Sequence, residues 1–183
     1  MGAETTFGPT RWARLAVALV NTAAGDRHGD ALSSPDDLRR LLLAHDEPEP
    51  ITIDDRDLAD ARDARAGLAA VFAAQYQAEV ATRLNDMLAR TANPRLAAHD
   101  GVPLHLHMDA PGSSWGQWFA ASGAMALALL VAEHGTEVLG RCAAPGCHHA
   151  VLRLGRGPAR RYCDSRCAGR GRVSAHRARA RSS

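Results

Sequence analysis

All four cysteines of this chain lie in one short segment, RCAAPGCHHAVLRLGRGPARRYCDSRCAGRGR. Four residues separate Cys142 from Cys147, three separate Cys163 from Cys167, and fifteen lie between the two pairs. This layout is typical of a structural zinc site, because four thiolates complete a tetrahedral metal and leave no open position for catalysis. We therefore predict one structural zinc. Disulfides, free thiols or a redox switch are the alternatives.

Local structure should position these thiols. A tight turn at Pro145-Gly146 would bring the first pair together, and the i, i+4 spacing of the second pair places both sulfurs on one face of a starting helix. His148 and His149 follow Cys147, and either could replace a cysteine as ligand. With four thiols present, we expect the two histidines at the surface or beside the ligands. Four nearby arginines would offset the thiolate charge and lower the thiol pKa values: Arg141, Arg160, Arg161 and Arg166.

The charge of the chain is divided between its two parts. Residues 1–140 hold 11 arginines and 19 acidic residues, whereas residues 141–183 hold 11 arginines and a single acid, Asp164. The formal charges are −8 and +10, although the whole chain has only +2. We predict two domains, an acidic body over 1–140 and a basic zinc-binding domain over 141–183 whose charge favours binding to a polyanion.

The arginines of the second domain are the candidate nucleic-acid contacts. If a helix continues from the second cysteine pair, Arg166, Arg170 and Arg177 share one face, which could follow a phosphate backbone or enter a major groove. Tyr162 is the only aromatic residue of the segment, which favours duplex DNA over RNA, because RNA-binding proteins commonly stack bases on aromatic rings. The alternatives are a disordered basic tail and a zinc knuckle that docks an acidic protein partner. The full predicted set is Arg160, Arg161, Arg166, Arg170, Arg172, Arg177 and Arg179.

The body has the composition of a soluble, mainly α domain. Hydrophobic residues make up 46% of the chain but aromatics only 4%, so alanine, leucine and valine must build most of the core. Alanine and leucine favour helices. Residues 11–22 form a strand or a helix. Helices are predicted from the Ser34 cap, over about 55–91 with a break near Ala78, and over 113–135, with an end at Gly135 or Gly140. The segment 92–101 is predicted to be a loop, and 102–109 a strand.

The predicted fold class is therefore mainly α (α+β with one small sheet), a helical N-terminal body followed by a small treble-like zinc-binding module. No basic leader and no apolar run of about 20 residues is visible, so we expect a cytoplasmic protein without a membrane partner. Trp115 and Trp118, three apart, are candidates to line a pocket for a small-molecule effector, with Asn21 and Thr22 supplying polar groups. Core packing is the alternative.

No catalytic motif stands out. The sequence holds no phosphate-binding loop, nucleotide-binding glycine pattern, nucleophile elbow or zinc-protease helix, so we expect no enzyme. His105, His107 and Asp109 alternate along the predicted strand and resemble part of a metal site. The favoured interpretation is a polar strand face opposite the apolar face of Leu104, Leu106 and Met108.

Several short motifs resemble one bacterial family. CAAPGC, RRYC and CAGR followed by a basic tail are similar to the CGNR-type zinc finger, which in that family follows an ABATE domain of stress-induced transcription regulators. Tyr162 stands where the family has Trp, and Cys167-Ala168-Gly169-Arg170 stands where it has Cys-Gly-Asn-Arg. The run LAVALVNT also resembles the family's early apolar segment. The resemblance implies a DNA-binding transcription regulator whose finger contacts DNA.

Overall fold

The computed structural model describes residues 8–23, 25, 29–99, 102–154 and 160–181. Six α-helices and two β-hairpins follow one another along these residues. In chain order the elements are α1 (Pro9–Val20), α2 (Pro35–Leu43), α3 (Asp55–Ala73), α4 (Gln77–Thr91), β1 (Arg95–His99), β2 (Val102–His107), α5 (Trp115–His134), a 3-10 turn (Thr136–Val138), β3 (Leu139–Arg141), β4 (Ala150–Leu152) and α6 (Ser165–Arg181). The predicted mainly α fold class is confirmed.

The helices of the body begin where local chemistry favours them. Ser34 and Asp37 form a reciprocal capping box at the start of α2, and Ser114 and Gln117 form another at the start of α5. A third box, Asp54 with Asp57, begins α3. The α5 helix ends at Gly135, whose φ of 76° is a conformation that glycine adopts without strain. These boundaries agree with the sequence predictions. Of the segment 11–22, residues 11–20 prove helical as part of α1, and the last two form a turn.

The core is built around α5, which packs against α1, α3 and α4. Gly116 is buried where α5 meets α3, and a Cβ there would lie 2.1 Å from the carbonyl carbon of Asp60. Only glycine permits this approach of helix and backbone. By length and composition alone α5 is long and apolar enough to cross a membrane, but ten of its residues are buried in the protein core. It is the central helix of a packed domain.

The loop predicted over 92–101 is wrong for Arg95–His99, which form strand β1, and residues 100 and 101 lie outside the described residues. β1 pairs antiparallel with β2 in the register Arg95–His107, Leu96–Leu106 and Ala97–His105. Alanine-rich RLAAH has little intrinsic strand preference, so its partner strand supplies the reason for the extended conformation. The predicted strand over 102–109 is present as β2, Val102–His107.

The second hairpin joins the body to the C-terminal segment. β3 and β4 pair antiparallel, and the predicted boundary between residues 140 and 141 falls inside β3. Val138, Ala150 and Leu152 belong to the hydrophobic core of the body, while Val151 faces a separate small cluster with Cys142, Ala144 and Cys167. Adjacent residues of β4 therefore serve two cores, as the alternation of side chains along a strand allows.

Candidate metal centre and basic helix

The four cysteine sulfurs converge on one point. The Sγ atoms of Cys142, Cys147, Cys163 and Cys167 all lie within 4.8 Å of one another. The Cys147–Cys163 separation is 3.8 Å and the Cys163–Cys167 separation is 3.3 Å. A tetrahedral zinc with bonds of about 2.3 Å requires sulfurs about 3.8 Å apart. The cysteines therefore form one structural zinc site, as predicted.

Two local structures hold the sulfurs in place. Cys142 and Cys147 lie in the turn between β3 and β4, where Gly146 takes a φ of 66° and the Cys147 N–H donates to the Ala144 carbonyl. Cys163 lies two residues before the first residue of α6, and Cys167 lies in the first turn of that helix. A cysteine turn, a hairpin and a helix together give the treble-like arrangement. Within the described residues, neither His148 nor His149 joins the group of metal-ligating atoms.

Asp164 caps the helix that carries the second cysteine pair. Its Oδ1 accepts a hydrogen bond of 2.6 Å from the Cys167 N–H, and this bond lowers the pKa of the Asp164 carboxyl. The cap orients the first turn of α6, so that Cys167 faces Cys163. In the sequence, Asp164 stood out only as the single acid of the basic segment. The spacing Asp-x-x-Cys just before a predicted helix was the signal that could have identified it.

The thiols need a cation to ionise together. Burial raises the pKa of Cys163, and it raises the pKa of Cys167 to about 11. Burial also opposes ionisation of Cys142, but hydrogen bonds from the backbone of Ala144 and Cys163 outweigh it and lower the pKa of that thiol. Bound zinc supplies the charge that keeps all four sulfurs as thiolates. Arg170 adds a donor, with Nη2 2.9 Å from the Cys167 Sγ.

The finger is docked on the body through Asn21, the residue that follows α1. The Asn21 Oδ1 accepts from the Ala150 N–H at 2.7 Å, and its Nδ2 donates to the Ala150 carbonyl at 3.0 Å. One amide side chain thus satisfies both backbone polar groups of Ala150, a residue that is only 2% exposed. Asn21 replaces a neighbouring strand along the free edge of β4.

The predicted pocket of Asn21, Thr22 and the tryptophans is wrong in its composition. The Thr22 hydroxyl donates to the Leu19 carbonyl and accepts from Arg65. Trp115 and Trp118 lie instead beside Trp12, near the start of α1, with ring centroids of Trp12 and Trp118 4.4 Å apart. Nine residues of helix, about 14 Å, separate Trp12 from Asn21. The tryptophans line a cleft without Asn21 or Thr22.

Three of the predicted nucleic-acid arginines contact the finger itself. Arg160 donates from Nε to the Tyr162 carbonyl at 3.1 Å and from Nη2 to the Cys163 carbonyl. The Arg161 guanidinium lies 5.9 Å from the centroid of the Tyr162 ring, and Arg170 contacts Cys167. These arginines therefore shape the finger around its metal site.

The remaining arginines lie on the exposed surface of α6. Arg166 is exposed in the first turn, and from Arg172 to Ala180 every residue with a described side chain is exposed. The second half of the helix thus projects about 15 Å beyond the finger. It holds no acidic residue, and its described arginines are Arg172, Arg177 and Arg179.

The fold and the site define a zinc-finger protein, in which a helical body carries a four-cysteine finger. Residues 13–142 match the family model ABATE, described as a "putative stress-induced transcription regulator", and residues 139–180 match the CGNR zinc finger. The chain belongs to the ABATE family and ends in a CGNR zinc finger, as the sequence motifs indicated. Neither description is that of an enzyme. A search of the curated proteins finds no match to this sequence.

Proposed function

We propose that this protein is a zinc-dependent DNA-binding transcription regulator of the cytoplasm, and that the exposed half of α6 contacts DNA. The observation that carries the proposal is the basic helix itself. It projects from the finger with three described arginines and no acid, while the body behind it is acidic. A polyanion is the complementary partner for such a surface.

The dimensions of α6 suit duplex DNA. A B-DNA major groove is about 12 Å wide and admits one α-helix. The described side chains of the projecting half of α6 are exposed, and an isolated helix of about ten residues is only marginally stable in water. Contact with phosphates would stabilise it and orient its arginines. Arg172 and Arg179 lie on a different side of the helix from Arg166 and Arg177, so both walls of a groove would be within reach.

Zinc has a structural part in this function. The finger's own cluster contains few apolar side chains, chiefly Ala144, Val151 and part of Tyr162, too few to fold a segment of this size alone. The metal fixes the start of α6 relative to the β3–β4 hairpin, which is anchored in the core of the body. The direction in which the basic helix projects therefore depends on the four thiolates.

The proposal is tested by titrating fluorescently labelled duplex DNA with the zinc-loaded protein at several salt concentrations. We expect the combined change of Arg172, Arg177 and Arg179 to Gln to weaken binding. It should also reduce the slope of log K against log salt by about 2–3, because each phosphate contact contributes about 0.9. A matched control changes three exposed arginines of the body to Gln: Arg39, Arg56 and Arg90.

The two variants lose the same formal charge, so they separate a local contact from general attraction. Equal weakening by both would contradict a DNA contact at α6. A native protein whose affinity does not respond to salt would indicate the alternative, a zinc knuckle that docks an acidic protein. Preference for single-stranded RNA over duplex DNA would reassign the helix to RNA binding.

A further inference from the structure

The body contains a cleft of about 440 Å³ that is separate from the finger. It lies between the β1–β2 hairpin and the first turns of α1 and α5, and the segment after α2 closes one side. Small-molecule clefts in proteins have volumes of roughly 300–1,000 Å³. The cleft is therefore large enough for a small organic ligand.

One wall of the cleft is aromatic. It contains Trp12, Trp115 and Trp118, which are all the tryptophans of the chain. The Trp118 ring stands at 65° to Trp12 and at 74° to Trp115, with centroids 4.4 Å and 5.3 Å away. Rings set nearly perpendicular to one another present a concave surface of π faces and edges, which suits an apolar body or a bound cation.

The opposite wall is polar, whereas a hairpin with one apolar face would normally turn that apolar face towards the protein. The register puts Arg95, His105 and His107 on one face of the β1–β2 hairpin, and this face lines the cleft. Leu96 and Leu104, on the other face, are 66% and 67% exposed. A one-residue shift in each strand would bury the leucines and expose the polar side chains. The hairpin thus directs its polar face inward against the hydrophobic effect.

Two charged groups in the cleft have unused hydrogen-bonding capacity. Asp109 is only 8% exposed, and its Oδ1 has no hydrogen-bond partner among the described residues; the His107 Nδ1 is 3.9 Å away. The Arg95 Nε is likewise buried without a hydrogen-bond partner there. The other charges of the lining, Arg11 and Glu47, pair with each other at 2.7 Å. One carboxylate oxygen and one guanidinium N–H therefore remain without a partner among the described residues.

We propose that this cleft binds a small zwitterion. Its ammonium group donates to Asp109, its carboxylate accepts from Arg95, and its apolar or aromatic body packs on the tryptophans. A guanidinium matches a carboxylate in geometry and charge, and the tryptophan faces attract the ammonium as well as the body. The site is independent of the proposed DNA contact at α6.

A metal ion is a poorer match for the cleft. The Nε2 atoms of His105 and His107 lie 3.0 Å apart, within hydrogen-bond distance of each other. Within the described residues, the only group of three or more metal-ligating side chains is the cysteine cluster. A purely cationic ligand would leave Arg95 unmatched, and a purely anionic ligand would leave Asp109 unmatched.

The test uses the emission of the three tryptophans, because all of them line the cleft. The zinc-loaded full-length protein is titrated with four probes: phenylalanine, leucine, phenethylamine and 3-phenylpropionate. The last two lack the carboxylate and the ammonium group of phenylalanine, respectively. We expect a saturable change with at least one of the two amino acids. We also expect each one-charge probe to bind at least about tenfold more weakly than phenylalanine, since a buried hydrogen bond to a charged group is lost.

A variant of Asp109 tests the contact with the ammonium group. Asp109→Asn keeps the size of the side chain, and it should weaken binding of the ammonium-bearing probes at least about tenfold while leaving 3-phenylpropionate unchanged. Asp86→Asn, on the exposed face of α4, is the matched control and should bind as the native protein does. Circular dichroism establishes that each variant is folded, and the probe series on the native protein does not depend on them.

Three results would overturn the proposal. The first is that neither amino acid gives a saturable change in the millimolar range. The second is that phenethylamine or 3-phenylpropionate binds as tightly as phenylalanine. The third is that Asp109→Asn, in a folded protein, has no effect on binding. The same titration on the variant with Arg172, Arg177 and Arg179 changed to Gln should be unaltered. Failure of DNA binding and failure of the ligand site are therefore separate outcomes.

Discussion

Replacing Asn21 with alanine should loosen the finger from the body. The change removes both hydrogen bonds to Ala150, at 2.7 Å and 3.0 Å, and leaves a buried N–H and a buried carbonyl without their partner. Each unsatisfied group costs about 1–3 kcal/mol, and water entering the vacated space offsets part of this. We therefore expect the free energy of unfolding to fall by about 2–4 kcal/mol.

The assay is denaturant unfolding of the zinc-loaded protein, followed by tryptophan emission for the body and by release of zinc to a chromogenic chelator for the finger. In the native protein the two signals should change together, because Val138, Ala150 and Leu152 share the core of the body. In Asn21→Ala the zinc signal should change at lower denaturant than the tryptophan signal. Asn85→Ala, on the exposed face of α4, should leave the free energy of unfolding from either signal within about 0.5 kcal/mol of the native value. Coincident and unshifted transitions in Asn21→Ala would refute the proposed role of this amide.

Further substitutions test the packing of the finger and of the body. Gly171→Ala places a Cβ 2.5 Å from two ring carbons of Tyr162 and should destabilise the finger by about 1–2 kcal/mol in thermal unfolding. Gly169→Ala, which has open space around its Cβ, should instead stabilise α6 by about 0.5–1 kcal/mol. Equal effects of the two changes would contradict the described packing. Gly116→Ala should cost about 3 kcal/mol because the new methyl group meets the backbone of α3, and a native melting temperature would contradict that close approach. The hydrogen bonds from Arg65, 2.6 Å and 2.7 Å long, lower the pKa of Asp30 from 3.8 to about 2, so the stability that this pair contributes is present above pH 3.8 and is lost as the pH falls through about 2. Asp30→Asn should therefore destabilise the protein by about 1–2 kcal/mol at pH 7, after allowance for solvent screening, and by much less at pH 2. The check is the stability of both proteins measured across an acid titration. An equal loss of stability at both pH values would contradict this assignment.

The features that sequence reasoning predicted correctly are those that depend on neighbouring residues. Ser34 caps α2 because its side chain reaches a backbone group three residues ahead, and Gly135 ends α5 because it accepts a positive φ. The cysteines were recognisable for a related reason, since the spacing within each pair fixes which thiols a turn or a helix can bring together. Chemistry of this kind can be read without knowledge of the tertiary fold.

The features that were missed depend on contacts between distant parts of the chain. Asn21 lies 129 residues before its partner Ala150, and nothing in the local sequence identifies Ala150 as that partner. Trp12 joins the other tryptophans only because α1 packs on α5. The inward direction of the polar hairpin face could not be predicted either, because exposed Leu104 contradicts the usual orientation of a two-faced strand. Sequence patterns located these residues on elements but could not orient the elements.

The most direct test of the central claim is selection from a library of random-sequence DNA duplexes, with the native zinc-loaded protein and the Cys163→Ser variant side by side. Cys163→Ser removes one of the four zinc ligands, while the body keeps its own core. We predict that the native protein enriches a small set of related sequences, that the variant enriches none, and that the tryptophan emission of the body is the same in both. Equal enrichment by the two proteins, or uniform recovery by the native protein, would contradict a zinc-dependent, sequence-specific contact with DNA.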